Sequence, residues 1–348
     1  MGNKLASARR PRWKRSGPGG HLVSALSPAL LVGLLGLAGV TTGYPTPLPA
    51  QSSPALPAQS AGNFSLAAVT YPTAIRHVIV VMEENHDLVW TLTNPAFLSL
   101  YSHSAHATRA YAICHPSAPN YIAISSAVDQ RCGSDRVTYL KATNLASDAA
   151  SHSVSWQGLF ESMPSACDRT DAYPYIAHHN PWVYYSDLKS TCAAHDLSFF
   201  TPTGASRLQL ELNGSTLPAL TYISPNMLHD AHDGSLAAAY SWLAKYVLHP
   251  VHASSTYAPT TAVIVLFDEA YKQSCRCSEG GGYTAGTITV SGGPIYLVVR
   301  SPVSNGTDVV TVHVTEFNVV STIEWLLRLP SLGHQDNTKF PAMKSLFT

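Results

Sequence analysis

The sequence predicts an α/β protein in three layers, helix–sheet–helix, with a largely parallel central sheet. Four apolar, β-branched runs indicate its strands: residues 77–82 (HVIVVM), 220–224 (LTYIS), 261–267 (TAVIVLF) and 295–300 (IYLVVR). Their apolar residues are continuous rather than alternating, which is typical of strands that are buried on both faces of a parallel sheet. Helical patterns lie between the runs, and they supply the two outer layers.

Two amphipathic patterns predict helices that pack on this sheet. Ser235 can cap a helix whose apolar face carries Leu236, Tyr240, Leu243, Ala244 and Val247. A similar stripe precedes Pro330 and consists of Phe317, Val320, Ile323, Glu324 and Leu327. All of these elements fit one domain that spans residues 71–348.

Composition and charge exclude several classes of protein. The chain has 348 residues, of which 45% are hydrophobic, so it can bury a full core and is not a disordered chain. The first 70 residues contain six basic residues and no acid, which leaves 15 basic against 21 acidic residues in the rest. An acidic body lacks the basic stripe of a nucleic-acid-binding protein, so no nucleic-acid partner is expected.

The N-terminal region predicts export. A basic cluster from Arg9 to Arg15 precedes the apolar segment 22–40, and this order is typical of a signal peptide or a membrane anchor. Residues 1–43 are therefore expected to be one or the other, and both remain open. Residues 44–70 are rich in Pro, Ala and Ser and predict an extended linker. Either alternative predicts a secreted body or one held on the outer face of the membrane.

The cysteines and glycosylation sequons agree with export. Six cysteines allow 15 pairings, and short loops favour Cys114–Cys132 and Cys167–Cys192. Cys275 and Cys277 are the remaining pair, and a bridge within C-x-C is strained. Three N-x-S/T sequons lie at Asn63, Asn213 and Asn305.

Acidic and amide residues follow three of the predicted strands. Glu84 and Asn85 follow the first, a segment with Asp230, His232 and Asp233 follows the second, and Asp268 and Glu269 follow the third. The carboxyl ends of parallel strands share one edge, where α/β proteins bind their ligands. Oxygen and imidazole ligands there predict a site for one or two divalent metal ions, whose identity the residue types leave open.

Ser117 is the candidate nucleophile. Pro119 suits the first turn of a helix, which places Ser117 at or just before the N-cap. One interpretation is that Ser117 only caps this helix. The other is that a metal ion lowers the pKa of its hydroxyl beside the positive helix end, where a phosphate also binds. The chain has no G-x-S-x-G, phosphate-loop or H-E-x-x-H motif that would indicate another mechanism.

Five motifs of this chain resemble those of a known family and occur in the same order. They are MEENH at 82–86, HPSAPNY at 115–121, HHNPWVYY at 178–185, PNMLHDAHDGS at 225–235 and FDEAY at 267–271. The chain resembles, over residues 75–335, the phosphoesterase family of acid phosphatases, phosphatidylinositol-3-phosphatases and bacterial phospholipases C. The resemblance implies an alkaline-phosphatase-like fold and hydrolysis of phosphate esters.

The resemblance also implies a role for each candidate residue. Metal ligands would be Glu84, Asn85, Asp268, Glu269 and Asp233. Ser117 would form a phosphoseryl intermediate, and Asp230 and His232 would protonate the leaving group or add a further ligand. Substrate or phosphate contacts would come from His115, Asn120, His179 and Asn180.

One position departs from the resemblance. Many relatives carry a histidine before the last helix, where this chain has Glu316 in the run Thr315-Glu316-Phe317-Asn318. His313, on a preceding strand, or the Glu316 carboxylate itself could take that role. The departure leaves the number of metal ions and the pH dependence open.

The sequence therefore predicts an exported, metal-dependent hydrolase of phosphate monoesters. Its partner would be a small phosphorylated substrate or a phospholipid head group, and membrane attachment would run through residues 22–40. The alternatives are a phospholipase C-like phosphodiesterase, a non-catalytic surface glycoprotein that retains the fold, and a metal-independent serine hydrolase of carboxylic esters. The oligomeric state stays open.

Overall fold

A computed structural model describes residue 72 and residues 74–129, 132–136, 138–271, 284–285, 288–333 and 339–348. The predicted signal or anchor segment (1–43) and linker (44–70) lie outside these ranges, as do Asn63, Cys275 and Cys277. None of the helices in these ranges has the length and apolarity needed to cross a membrane.

A large mixed sheet forms the centre of the molecule. Its strands are β1 (His77–Glu83), β2 (Ala105–Ala107), β4 (Trp156–Phe160), β5 (Asp196–Ser198), β6 (Leu220–Ser224), β7 (Thr261–Phe267), β11 (Leu297–Arg300) and β12 (Val309–Val310), in the order β12-β2-β11-β7-β1-β6-β4-β5. Two small sheets pair β3 (Ala110–Tyr111) with β10 (Pro294–Ile295) and β8 (Thr284–Ala285) with β9 (Ile288–Thr289). β7, β1, β6, β4 and β5 run parallel, which confirms the largely parallel sheet.

The fourth predicted strand behaves differently from the other three. The run 295–300 divides at Tyr296 into β10 and β11, and β11 pairs antiparallel with β7, where Val298 faces Val265. β11 is nevertheless apolar, and its residues are buried except for Arg300. Continuous apolarity therefore identified the strand correctly but not its direction.

The helices include both predicted ones. They are α1 (Leu88–Thr91), α2 (Pro95–Ser102), α3 (Ser117–Ser126), α4 (Leu145–Ser151), α5 (Cys192–His195), α6 (Arg207–Gly214), α7 (Leu236–Leu243), α8 (His249–Ala253) and α9 (Glu316–Leu327). Ser235 caps α7 as predicted, because its Oγ accepts a bond of 3.1 Å from the N–H of Ala238. A π-helical turn (Ala244–Leu248) joins α7 to α8, and short 3₁₀ helices span Ala177–His179, Pro181–Tyr184, Ala258–Thr260 and Lys344–Leu346.

Helices lie on both faces of the sheet. The Tyr222 hydroxyl on β6 donates to the carbonyl of Ile124 in α3, while the Phe267 ring on β7 packs at 5.7 Å against Phe97 of α2. Tyr222 is level with Val80 of β1 and Phe267 with Glu83, three residues further along, so the two aromatic side chains point to opposite faces. The three-layer α/β architecture is thus confirmed, and Ser117 at the start of α3 lies on the face of Tyr222.

Candidate active site

Three neighbouring strands end at one edge of the sheet, and the chain after each of them leads to the same place. β7, β1 and β6 are adjacent and parallel, so their carboxyl ends share this edge. The N–H of Glu84 donates to the carbonyl of Asp230 over 2.7 Å, and the N–H of Asp268 donates to the carbonyl of Glu83 over 2.9 Å. The polar segments that follow the three strands therefore come together.

Asn85 orients two of the carboxylates. Its φ of 54° is left-handed, a conformation that asparagine tolerates better than most residues. Its N–H donates to Oδ1 of Asp268 over 2.9 Å, and its Nδ2 donates to Oε2 of Glu84 over 2.8 Å. Oδ1 of Asp268 accepts a further bond of 2.6 Å from the N–H of Glu269. A tight turn after β1 thus positions acids from two strands.

Ser117 lies beside these acids. Its hydroxyl is 3.1 Å from Oε2 of Glu84 and 3.3 Å from Oε1 of Glu269, within hydrogen-bonding distance of both. The side chain is buried, with 5% of the residue exposed. The hydroxyl therefore has two carboxylate acceptors that come from different strands and lie 33 and 152 positions away in sequence.

The same geometry bears on the first interpretation of Ser117, that it only caps the helix. The residue is the first of α3, one position further into the helix than predicted, and the N-cap is Pro116. No side chain caps α3 from the N-cap position; the N–H of Ala118 instead donates to Oδ1 of Asp135 over 3.0 Å. The Ser117 hydroxyl faces the carboxylates and does not act as a helix cap.

Two imidazoles contact the acids. Nδ1 of His115 lies 2.5 Å from Oε2 of Glu269, and Nε2 of His179 lies 3.1 Å from Oε1 of Glu84. His179 also stacks on Tyr121, with the rings 3° from parallel and their centroids 5.1 Å apart. Burial, followed by the charge of His232, lowers the pKa of His179 to about 3. His179 is therefore neutral and can donate one N–H to the acid cluster.

In the part of the chain that the structure describes, few positively charged groups lie near the carboxylates of the cluster to compensate their charge. Burial and the neighbouring Asp268 raise the pKa of Glu84, while burial and Glu269 raise the pKa of Asp268. Burial raises the pKa of Asp230 to about 8. Among the described residues, the ion-pair partners of these acids are histidines alone. Several buried acids of like charge are unfavourable unless protons or a cation neutralise them.

The donor set fits a divalent cation. Oδ2 of Asp268 is buried and makes no hydrogen bond within the described ranges. Glu84, Asp268 and Glu269 with the Asn85 amide and the Ser117 hydroxyl offer the oxygen ligands that such ions prefer. Only Cys167, Cys192 and Asp196 place three Cys, His, Asp or Glu ligand atoms within 4.8 Å of one another in the described chain, and those sulfurs form a disulfide. Among the described residues, no three carboxylate or imidazole ligand atoms of the acid cluster lie that close, so the cluster fits a cation by its donor types and not by its spacing.

Asn120 was predicted to donate to a phosphoryl oxygen, but in this structure its amide bonds to the main chain. Asn120 is fully buried in α3. Its Nδ2 donates to the carbonyl of Cys114 over 2.8 Å, and its Oδ1 accepts a bond of 3.2 Å from the N–H of Cys114. Both ends of the amide therefore hold the chain that leads to Ser117.

The structure also places Asn180 away from the acid cluster. Nδ2 of Asn180 lies 3.0 and 2.9 Å from the two carboxylate oxygens of Asp196 on β5, and its Oδ1 accepts from the N–H of Trp182 over 3.1 Å. The adjacent His179 does reach the cluster. Of the two residues predicted to contact substrate, His179 therefore lies at the acid cluster, whereas Asn180 binds Asp196 at the edge of the sheet.

His232 and Asp233 lie at the surface beside a cavity. Both are exposed, and Nδ1 of His232 contacts Oδ1 of Asp233 at 2.9 Å, while the His232 N–H donates to Oδ1 of Asp230 over 2.8 Å. The cavity measures about 460 Å³ and is lined by Asn85, His86, Trp90, Ala231, His232, Gly234 and Tyr271. His232 is thus placed to meet a bound molecule, whereas Asp233 is exposed and contacts His232.

The sequence analysis did not predict that Tyr121 contacts the site, and it left the role of Glu316 undecided. Tyr121 supports His179 by stacking, a contact between helices for which the sequence has no local signal. Glu316 is fully buried, and burial, followed by the charges of Asp268 and Glu269, raises its pKa. The sequence signal for Glu316 was that it stands where many relatives carry a histidine. His313 instead lies against Arg109 and Tyr111.

A buried serine beside strand-end acids on an α/β sheet defines a candidate hydrolase, and comparison with known proteins gives its class. The model of the Phosphoesterase family matches residues 91–324, about two thirds of the chain, so the protein belongs to this family. Phosphatidylinositol-3-phosphatase of Mycobacterium tuberculosis is 28% identical over 278 residues, which are 78% of this chain and 83% of that protein. The protein is thus a hydrolase acting on phosphoric ester bonds.

Two further comparisons add a second relative in sequence and a neighbour in fold. The phosphate-repressible acid phosphatase of Penicillium chrysogenum is 27% identical over 317 residues, 88% of this chain and 71% of that enzyme. Murine ectonucleotide pyrophosphatase/phosphodiesterase 5 shares the fold with a TM-score of 0.50 at 10% identity, over 79% of this chain and all of that one. The predicted family resemblance is confirmed, and the enzyme is acid-phosphatase-like.

Proposed function

We propose that this protein is an exported, metal-dependent phosphatase that hydrolyses phosphate monoesters through a phosphoserine at Ser117. The observation that carries the proposal is the Ser117 hydroxyl, 3.1 Å from Glu84 and 3.3 Å from Glu269. Family membership gives the reaction class, and this geometry favours Ser117 as the nucleophile.

Glu84, Asn85, Asp268 and Glu269 would hold one or two divalent ions. When bound, such an ion supplies positive charge that favours an ionised nucleophile and stabilises the phosphoryl oxygens. The chain's own contribution is orientation, because Asn85 holds both Asp268 and Glu84. His179 holds the other oxygen of Glu84.

In the first step, Oγ of Ser117 attacks phosphorus, the Oγ–P bond forms, and the bond from phosphorus to the ester oxygen breaks. The hydroxyl proton passes to Glu84 or Glu269, which already lie within reach. The leaving oxygen takes a proton from Asp230 or from His232 at the cavity. In the metal-free fold, burial raises the pKa of Asp230 to about 8, which supports this carboxyl as a candidate proton donor near neutral pH.

In the second step, water attacks the phosphoserine, and the Oγ–P bond breaks. The group that protonated the leaving oxygen now accepts a proton from the water. The carboxylate that took the Ser117 proton returns it to Oγ, which restores the enzyme and releases phosphate. The buried N-terminal end of α3 favours negative charge on the phosphoryl oxygens throughout.

Export and substrate class are parts of the same proposal. Two disulfides, Cys114–Cys132 and Cys167–Cys192, are typical of an oxidising compartment, in agreement with the predicted signal or anchor segment. Small phosphate monoesters are the preferred substrates because acid phosphatases are among the relatives. The relative named as a phosphatidylinositol-3-phosphatase makes a phosphoinositide the second substrate to test.

The test is hydrolysis of p-nitrophenyl phosphate by the purified chain with EDTA and with added Mg²⁺, Ca²⁺, Mn²⁺ or Zn²⁺. We expect activity that EDTA abolishes and a divalent ion restores, and a loss of at least about 10³-fold in Ser117→Ala. The matched control is Ser126→Ala, a buried serine of the same helix whose hydroxyl donates to Ile122. Full activity of Ser117→Ala would refute the mechanism, whereas no hydrolysis of any phosphate ester would favour the non-catalytic alternative.

A further inference from the structure

Glu316 is a buried carboxylate next to the site, and the mechanism above does not use it. It is the first residue of α9, which packs against α3, the helix that begins at Ser117. The chain before α9 also lies beside the chain before α3, because the N–H of Tyr111 donates to the carbonyl of Val314 over 2.9 Å. Two helices thus begin side by side, one at the nucleophile and one at Glu316.

The surroundings of Glu316 do not satisfy its side chain. The residue is 0% exposed, and neither of its carboxylate oxygens makes a hydrogen bond within the described ranges. Burial, followed by the like charges of Asp268 and Glu269, raises the pKa of Glu316. Main-chain N–H groups of Ile113 and of Glu316 itself are near enough to favour its charged form. Within the described ranges no ion pair to this carboxylate is formed, so it lies near two acids of like charge without a positive partner.

Glu324 on the same helix shows the contrast. It is also buried, with 3% of the residue exposed, and it lies two turns further along α9. Its Oε1 accepts a hydrogen bond of 2.9 Å from the N–H of Leu332, so this carboxylate has a structural function in the loop after the helix. Burial on α9 therefore does not by itself leave a glutamate unsatisfied.

We propose that Glu316 is an additional cation ligand of the site, beside Asp268 and Glu269. The proposal rests on the metal dependence proposed above. With Glu316 the donors become oxygen atoms from four carboxylates, one amide and one hydroxyl, whereas both nearby imidazoles, of His115 and His179, contact carboxylates. Such a donor set favours hard, oxygen-preferring ions such as Mg²⁺, Ca²⁺ or Mn²⁺.

The test is calorimetric titration of the EDTA-treated full chain with Mn²⁺, for the wild type, Glu316→Gln and the control Glu324→Gln. We expect Glu316→Gln to weaken Mn²⁺ binding at least about tenfold and Glu324→Gln to leave it unchanged. In EDTA, the melting temperature of Glu316→Gln should match that of the wild type, because burial raises the pKa of Glu316 and glutamine has the shape of the protonated acid. Equal Mn²⁺ affinity of Glu316→Gln and the wild type would overturn the inference alone.

A second variant tests which ion the site prefers. It also keeps the inference testable if Glu316→Gln does not fold. Glu316→His replaces an oxygen ligand by an imidazole, so we expect Zn²⁺ affinity to rise relative to Ca²⁺ affinity compared with the wild type. An unchanged ratio of the two affinities would contradict a ligand at this position. If the wild type bound none of these cations, the proposed metal dependence would fail together with the inference.

Discussion

The main-chain N–H of Asn85 donates a hydrogen bond of 2.9 Å to Oδ1 of Asp268, although the two residues are 183 positions apart. The bond requires the left-handed conformation of Asn85, whose φ is 54°. It orients Asp268, while Oδ2 of the same carboxylate stays without a hydrogen bond in the described chain. The turn after β1 is therefore a structural clamp and, in the proposed metal site, also a source of ligands.

Two substitutions at Asn85 separate these functions. Glycine adopts the left-handed conformation without strain, so Asn85→Gly keeps the N–H bond to Asp268 but removes the amide. We expect it to keep the melting temperature within a few degrees and to lower metal affinity by about 10-fold to 100-fold. Asn85→Val is strained in this conformation and should lose about 1–3 kcal/mol of stability as well. Thermal melts and metal titrations of both variants check this, and equal stability of the two would contradict the clamp.

His179 is expected to act as a neutral positioning residue. Its removal in His179→Ala leaves Oε1 of Glu84 without its imidazole contact, so kcat/KM should fall by about 10-fold to 100-fold. Because the pKa of His179 is lowered to about 3, the shape of the pH–rate profile between about pH 5 and 8 should not change. The control is His195→Ala, whose imidazole stacks on Trp156 away from the cluster. A lost or shifted inflection in the profile would show that His179 itself titrates in catalysis.

The acid cluster links metal binding to pH. The pKa values of Glu84 and Asp268 are raised in the metal-free fold, so the folded state holds protons that the unfolded chain releases above about pH 4. The free energy of unfolding of the metal-free protein therefore falls as pH rises above that value. A cation replaces these protons, so Mn²⁺ should raise the melting temperature more at about pH 7.5 than at about pH 5. Equal gains at both pH values would contradict a site made of these acids.

Asp196 gives a second pH effect, separate from the site. Burial raises its pKa to about 8, above the unfolded value near 4, although the Asn180 amide partly offsets the shift. The folded state thus holds a proton that the unfolded chain has released, and stability falls as pH rises from about 4 to about 8. Asp196→Asn should flatten this dependence by on the order of 1 kcal/mol per pH unit. Urea melts at several pH values measure the slope, and identical slopes for variant and wild type would refute the assignment.

Much of the fold and the position of the site followed from local sequence. Buried strands give continuous apolar runs, so β6 and β7 were predicted with the bounds that the structure shows. Parallel strands end at one edge, so Glu84, Asp230 and Asp268 could be expected together. The direction of β11 was missed because apolarity carries no information about strand direction.

The partners of single side chains depend on tertiary packing and could not be predicted. Asn180 pairs with Asp196 only because β5 lies next to β4, a register that no motif specifies. Asn120 turns back to Cys114 because the chain before α3 passes close to that helix. The stacking of His179 on Tyr121 arises in the same way, between segments far apart in sequence.

The most direct test of the account is the mass of the enzyme caught during turnover. The chain is mixed with p-nitrophenyl phosphate and Mn²⁺, quenched in acid within milliseconds, digested, and analysed for a phosphorylated peptide that contains Ser117. We predict phosphate on Ser117 in the wild type and in Ser126→Ala, and none in Ser117→Ala or in samples with EDTA. Rapid hydrolysis with no phosphate on Ser117 at any quench time, or phosphate on another residue, would contradict the central claim.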